Sequence, residues 1–423
     1  MNNKIKWACI QPLTGGMYLG TEEAIGHKAE FILSFAGLND AEIKEYKLNS
    51  CGNELYLQRY LEKVERVVPR YDIEEGMFDP SLLENLNPTI TIDGNECPPD
   101  YSDLDLVVAV PVCSGLSMAT RASQDTKDIR NCNMKFITEY TLKVIKPKIY
   151  VFENAPTLMG TRGKGLVEDF KTLAENTGYS VLFYKTDTNL HHNCQKRVRT
   201  FIIFVRHKGE EIENPPVFDY ENNKISIKDY FAKIDNTLNG ESLPTSPHNW
   251  IVLDYIKTLF GNEWREHVQG SLMNWCIKND KLENLKAFAK LKYEKNSEKL
   301  IKYIEHIQYK LSLGKNYFQD DIFLPTEYFP AVQFRSMFNM LHPIEDRICT
   351  VRENLALMGH PDDFEWLTGA NKGSLPKIGQ NVPVKTAKFI VEQCIKVLEN
   401  WDKEREHAKN ASFQDNINQK MIW

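Results

Sequence analysis

Six short apolar runs punctuate the first half of the chain: Trp7–Ile10, Phe31–Phe35, Leu106–Val110, Ile149–Phe152, Val181–Tyr184 and Phe201–Val205. Each has the length of a strand, and most read as buried on both faces. Between them lie segments with helical spacing, such as Asn133–Ile145 and Gly165–Asn176. Strand–helix alternation predicts an α/β fold with a mostly parallel sheet covered on both faces. Sheets of this kind bind ligands beyond the carboxyl ends of their strands, so residues there are the first candidates for function.

The alternation stops between about 208 and 345. That stretch opens with turn formers (Glu213-Asn-Pro-Pro216, Leu243-Pro-Thr-Ser-Pro247), continues with lysine- and tyrosine-rich helical segments from Trp250 to Leu313, and ends in an aromatic-rich run from Tyr317 to Phe338. It reads as a separate domain inserted into the first. Lys385–Asp402 then has the spacing of an amphipathic helix, followed by a polar tail.

Composition narrows the class. Apolar residues at 42% and charged residues at 26% are ordinary for a globular chain, and no apolar stretch is long enough for a membrane span. The N-terminus carries no apolar signal core, so the expected location is the cytoplasm. Nine cysteines, at 9, 51, 97, 113, 132, 194, 276, 349 and 394, contain no CxxC pair, which argues against a zinc ribbon or a disulfide framework. The adjacent His191 and His192 cannot easily share one tetrahedral site, so no metal is expected. With a net charge of −6, a nucleic-acid enzyme must concentrate its positive charge locally. Lys196–Lys208 qualifies; Lys281–Lys315 reads equally well as a solvated helix face, because glutamates alternate with its lysines.

Three segments carry chemistry. Leu104-Asp-Leu-Val-Val-Ala-Val110 ends in Pro111-Val-Cys113-Ser114-Gly115, a small-residue loop bearing one thiol. Ile149-Tyr-Val-Phe152 runs into Glu153-Asn154-Ala155. Gln195-Lys-Arg197-Val-Arg199 precedes the run ending at Val205. Cys113 and Glu153 fall at carboxyl strand ends, and Arg199 is expected to reach in from a loop before its strand. A thiol, a carboxylate and two guanidinium groups could then line one pocket.

In order and spacing the three segments resemble the motifs of the DNA (cytosine-5)-methyltransferase family. Pro111 and Cys113 match its Pro-Cys step with Val112 in place of the adjoining proline, and Ser114 stands where Gln or Asn is usual. Glu153-Asn154-Ala155 matches Glu-Asn-Val, and Gln-x-Arg-x-Arg is intact at Gln195, Arg197 and Arg199. The resemblance implies a Rossmann-like methyltransferase domain using S-adenosylmethionine, without a metal. It also implies covalent chemistry. Cytosine C5 is a weak nucleophile until a thiolate adds at C6 and makes the ring enamine-like. Cys113 would be that thiolate. Glu153 would hydrogen-bond or protonate ring N3, Arg199 would contact O2, and Asn154, Arg197 and Gln195 would hold the surrounding segments.

For the methyl donor, Gln11-Pro-Leu-Thr14-Gly15-Gly16 resembles the family's glycine-rich loop, with Gln11 for its aromatic residue and Leu13 for its first glycine. The helix expected next is Thr21–Gly26. Asn53-Glu54, ahead of a helical run Leu55–Val64, resembles the step that holds the ribose. Glu54 is the candidate, with an insertion at Gly37–Gly52, and Asp40 competes. Asp93 is the candidate at the adenine, and Pro111 borders the site. Gly379-Gln380-Asn381-Val382-Pro383 resembles the family's Gly-Asn-x-Val-Pro; either Gln380 or Asn381 takes the asparagine's role beside Val382.

Thr350-Val-Arg352-Glu353 through Gly359, Pro361 and Phe364 resembles the motif that marks the return to the catalytic domain. The expected organisation is therefore a catalytic part at 1–206, a target recognition domain at 207–346, and a returning part at 347–423. The expected partner is duplex DNA, bound by a monomer with the target base flipped, and a loop including Arg121 and Lys127 would close over it. The expected setting is a prokaryotic or phage-encoded cytoplasmic enzyme. Two alternatives stay open: a transfer-RNA cytosine-5 methyltransferase, and a DNA-binding protein without catalysis.

Overall fold

The computed structural model describes residues 4–35, 54–73, 90–92, 95–97, 99–111, 116, 131–206, 225–315, 321–332, 337–368 and 374–399. These residues fall into two compact units. The first comprises residues up to His191, Val198–Asn222 and Asn381 onwards; the second comprises His192–Arg197 and Asn223–Gln380. These boundaries follow contacts, whereas the division expected above by role falls at 206/207 and 346/347.

The first unit is built on a seven-stranded sheet. Its strands are β1 (Trp7–Ile10), β2 (Phe31–Phe35), β3 (Arg70–Ile73), β4 (Leu106–Ala109), β5 (Ile149–Asn154), β6 (Tyr179–Asp187) and β7 (Val198–Arg206). Their order is β3-β2-β1-β4-β5-β7-β6. All pair in parallel except β7, which runs antiparallel to both neighbours. This is the mostly parallel α/β sheet that the strand–helix alternation predicts.

Both faces of the sheet are covered, because every residue of β1, β4 and β5 is buried. On one face Ala8, Ile10, Val107, Ala109, Tyr150 and Phe152 join α3 (Cys132–Tyr140) and α4 (Lys164–Thr177) in one core, through Met134, Phe136, Leu166 and Phe170. On the other face Trp7 packs against Tyr18 of α1 (Gly16–Ile25), ring centroids 5.1 Å apart. A helix over 384–399 packs on α1 at Gly20, where an added Cβ would lie 2.3 Å from Val384 O and 2.6 Å from Ala387 Cβ. That contact explains why α1 begins five residues before the expected Thr21: its glycines are poor helix formers but are required where the two helices touch. The run expected at Leu55–Val64 is α2 (Glu54–Lys63).

The second unit is mainly helical over α5 (Pro247–Phe260), α6 (Leu272–Lys278), α7 (Leu282–Tyr293) and α8 (Glu298–Ser312). In α8, Leu300, Ile304 and Ile307 form the buried stripe, while Lys299 and Lys302 face outward. Lys286 pairs with Glu283 and Lys292 with Asp254, so part of the lysine-rich stretch is matched by acids inside the unit.

α9 (Val351–Leu357) carries Arg352 and Glu353, both fully buried. Thr350 and Glu353 close a capping box, and Glu353 also pairs with Arg347 at 2.6 Å. Arg352 donates to the carbonyls of Leu238 (3.3 Å), Pro361 (2.8 Å) and Phe364.

Candidate functional site

The sheet order changes direction between β1 and β4, since β2 and β3 extend to one side and β5 to the other. Carboxyl ends of strands at such a switch point form a crevice. Three adjacent ends meet there: Ile10 leads into Gln11–Gly16, Ala109 into Val110 and Pro111, and β5 closes with Glu153-Asn154. Val110 N donates to Ile10 O at 3.2 Å and keeps the first two ends together.

Glu153 and Arg199 are side by side. Glu153 Oε1 lies 2.6 Å from Arg199 Nε, with the side chains 6% and 17% exposed. The register causes this. Glu153 stands opposite Phe201, so Arg199, two residues earlier on the antiparallel partner, is its diagonal neighbour on the same face. Arg199 is therefore part of β7 and does not reach in from a preceding loop. Because β7 runs backwards, its first residues stand at the carboxyl end of β5.

Asn154 points to the opposite face and is fully buried. Its Oδ1 accepts from Ala155 N at 2.9 Å, and its Nδ2 donates to Met134 Sδ at 3.1 Å. Met134 is an anchor that the sequence did not reveal, since it lies twenty residues away on a helix. Pro111 is buried beyond β4, and Leu116 has its side chain in the core. Cys113, Asp93, Arg121 and Lys127 lie outside the described residues. Glu54 begins α2, and only its backbone is described.

The loop after β1 is bent by left-handed residues. Gln11 has φ 48° and Leu13 φ 54°, followed by Gly15 at φ 101°. For non-glycine residues this backbone costs on the order of 1–2 kcal/mol each, and such outliers concentrate at functional sites. Leu13 thus adopts a conformation suited to the glycine that the family has at this position. Gln11 is 4% exposed, and Thr14 is fully buried.

Gly16 N donates to Asn381 Oδ1 at 3.0 Å. A Cβ on Gly16 would stand 1.8 Å from Val382 O, so this glycine admits the 381–384 segment. The Gly16 amide is thus occupied by the chain itself. Of the two candidates, Asn381 is the one that meets the loop; Gln380 is exposed and belongs to the second unit.

Gln195 and Arg197, also in the second unit, are buried clamps. Gln195 Nε2 donates to Leu357 O at 3.1 Å and its Oε1 accepts from Val332 N at 3.0 Å. Arg197 donates to Val332 O at 3.0 Å and to Gly379 O at 2.6 Å. His191, in the first unit, bridges Thr186 (3.1 Å) and Thr386 (3.3 Å) and stacks on Phe389. Burial pushes the Cys276 and Cys394 thiols up to about 12, as suits inert packing groups.

The profile of the C-5 cytosine-specific DNA methylase family matches residues 84–396. The chain is 24% identical over 339 residues to the type II methyltransferase M.DdeI of Desulfomicrobium norvegicum, covering 73% of this chain and 77% of the relative. It is 26% identical over 336 residues to the type II methyltransferase M1.HphI of Haemophilus parahaemolyticus, covering 77% and 73%. Among solved structures, the Entamoeba histolytica methyltransferase EhMeth superposes with a TM-score of 0.52 at 12% identity, over 94% of this chain and 99% of that one.

Proposed function

This chain belongs to the C-5 cytosine-specific DNA methylase family, and from that premise we propose that it methylates C5 of a flipped cytosine in duplex DNA through a covalent Cys113–C6 adduct. S-adenosylmethionine, when bound, supplies an electrophilic methyl group on a sulfonium. The observation that carries the reading is the Glu153–Arg199 pair at the strand end beside the one leading to Pro111 and Cys113.

The Cys113 thiolate adds to C6, and the ring's electron pair moves toward N3 and O2. Glu153 hydrogen-bonds or protonates N3, and Arg199 meets the charge growing on O2. A paired carboxylate and guanidinium suit this chemistry because they hold each other before the base arrives. Glu153, once it carries a proton, can then donate to ring N3, and Arg199 to the neighbouring exocyclic O2. With the ring held in this enamine-like form by Cys113, Glu153 and Arg199, C5 would accept the methyl group that the donor supplies when bound. The C5 proton passes to water, the C5–H electron pair re-forms the C5–C6 double bond, and the Cys113–C6 bond breaks with its electron pair returning to sulfur, which restores aromaticity.

For the donor, the strained turn Gln11–Gly15 at the switch point is the feature that supports a ligand site, since the Gly16 amide that opens α1 is already held by Asn381. Glu54 at the start of α2 is the proposed ribose partner, Asp93 the adenine partner, and Pro111 and Val382 border the pocket. Gln195 and Arg197 act as braces. The segment 207–346 is the proposed reader of the DNA sequence, and the protein acts as a cytoplasmic monomer.

Bisulfite sequencing of DNA from a methylation-free bacterial host expressing the chain tests this. Protected cytosines in one sequence context, lost with Cys113→Ala while DNA binding persists, are the expected result. No protection from soluble protein would overturn the DNA reading, and labelled methyl transfer to transfer RNA would replace it.

A further inference from the structure

We infer that His191 is a positioning residue for Arg199, acting through Thr186; the inference rests on the function proposed above. Arg199 has a cross-strand neighbour on each side. Glu153 on β5 is its diagonal partner and Thr186 on β6 stands directly opposite, so the three side chains share one face of the sheet. Arg199 Nε meets Glu153, and its Nη1 donates to Val198 O at 2.7 Å. Thr186 is buried, and its Oγ1 lies 3.1 Å from His191 Nε2. Arg199 is thus flanked on its β6 side by a threonine whose side chain a buried histidine holds.

The histidine is itself held from the far side. His191 Nδ1 lies 3.3 Å from Thr386 Oγ1, and its ring stacks on Phe389 with centroids 4.4 Å apart and planes 16° from parallel. Each threonine hydroxyl can donate or accept, so a neutral imidazole bonds both in either tautomer. Thr386 and Phe389 belong to the helix over 384–399, which packs on α1 at Gly20. Just before that helix, Asn381 accepts from Gly16 N. The anchor is therefore fixed to the body of the sheet. β6 depends on such an anchor because it is the edge strand and pairs with β7 alone in this sheet. Freed from His191, the end of β6 beside Arg199 gains motion, and the guanidinium paired with Glu153 gains it too. Arg199 meets charge that grows on O2 in the transition state, so its misplacement lowers kcat more than it weakens binding.

The test uses three variants. Thr186→Val keeps the shape and removes the hydroxyl, Thr186→Ser keeps the hydroxyl, and His191→Phe keeps a ring on Phe389 and removes both hydrogen bonds. Steady-state methyl transfer to duplex DNA is expected to show kcat lowered about tenfold in Thr186→Val and in His191→Phe, with KM for DNA and S-adenosylmethionine within about threefold. Thr186→Ser should stay within about threefold of the parent. Thr186→Val combined with His191→Phe should lose about tenfold and not about a hundredfold, since both residues act along one path. Unchanged kcat in Thr186→Val, no rescue by Thr186→Ser, or losses that multiply would overturn the inference. The Thr186 pair decides by itself if His191→Phe fails to fold. A second measurement needs neither DNA nor donor: the exchange of Arg199 Nε–H with water, followed by NMR in protein carrying isotope-labelled arginine and assigned by its loss in Arg199→Lys. Arg352 Nε, which donates to Leu238 O, is the internal reference. Faster exchange at Arg199 alone in Thr186→Val supports the positioning role even if the DNA reading fails. Unchanged exchange counts against it even if the enzyme methylates DNA.

Discussion

Two buried guanidinium groups show how alike residues serve different ends. Arg352, in the second unit, is fully buried and spends its donors on three backbone carbonyls. Burial pushes its pKa below the ordinary arginine value, the mark of a charge placed for architecture. Arg199, in the first unit, keeps 17% exposure and meets a carboxylate side chain at the end of a sheet. A guanidinium locked to carbonyls cannot change partners without unsatisfying the backbone. One paired with a side chain at a rim can exchange that partner for a ligand.

Glu153→Gln puts this contrast to its hardest trial. The amide still offers an oxygen to Arg199, so the fold should persist, while methyl transfer falls about 100- to 1,000-fold. An equally large loss of thermal stability would show that the pair is architectural after all. Arg352→Met should do the reverse, lowering unfolding free energy by about 3 kcal/mol or more in urea denaturation, because three carbonyls lose their donor. Stability unchanged by this substitution would remove the distinction.

Within the first unit, Gly16→Ala forces a Cβ to 1.8 Å from Val382 O, and about 2–4 kcal/mol should be lost. Gly26→Ala is the control, since nothing lies within 4 Å and only its φ of 86° costs, about 1 kcal/mol. The smallest effect is a pH slope at His342. Burial lowers its pKa below 6.5, and its Nδ1 accepts from the amides of Ile344 and Glu345. Below pH 6.5 the unfolded histidine binds a proton that the folded one resists, so stability should fall as pH drops from 6.5. His342→Gln should flatten that slope, leaving a difference of about 2–4 °C in Tm at mildly acid pH. A separate loss sets in below 4.5, where the unfolded Glu345 takes up a proton that the folded carboxylate, held low by its hydrogen bond to Arg347, resists.

All six apolar runs read from the sequence are strands of the central sheet. The start of α1 was not legible, because Gly16 and Gly20 look like helix breakers until Val382 and Val384 are seen against them. β3, Arg70–Ile73, was missed because only one of its four residues has a bulky aliphatic side chain and one an aromatic ring. The carboxylate and guanidinium candidates were legible because their spacing from apolar runs marks strand ends. Their contact was not, since spacing says nothing about strand direction.

Local period and residue type were enough to give the α/β class and which residues stand at strand ends, and the resemblance of three ordered motifs pointed to the family. Two outcomes lay beyond them and came from the folded chain. β7 runs backwards and lays Arg199 against Glu153, and Asn381 closes on Gly16 from 365 residues away. Both depend on which distant segments share buried surface. That is settled by packing the whole sheet and its helices, where one free energy is minimised over contacts that no short window contains.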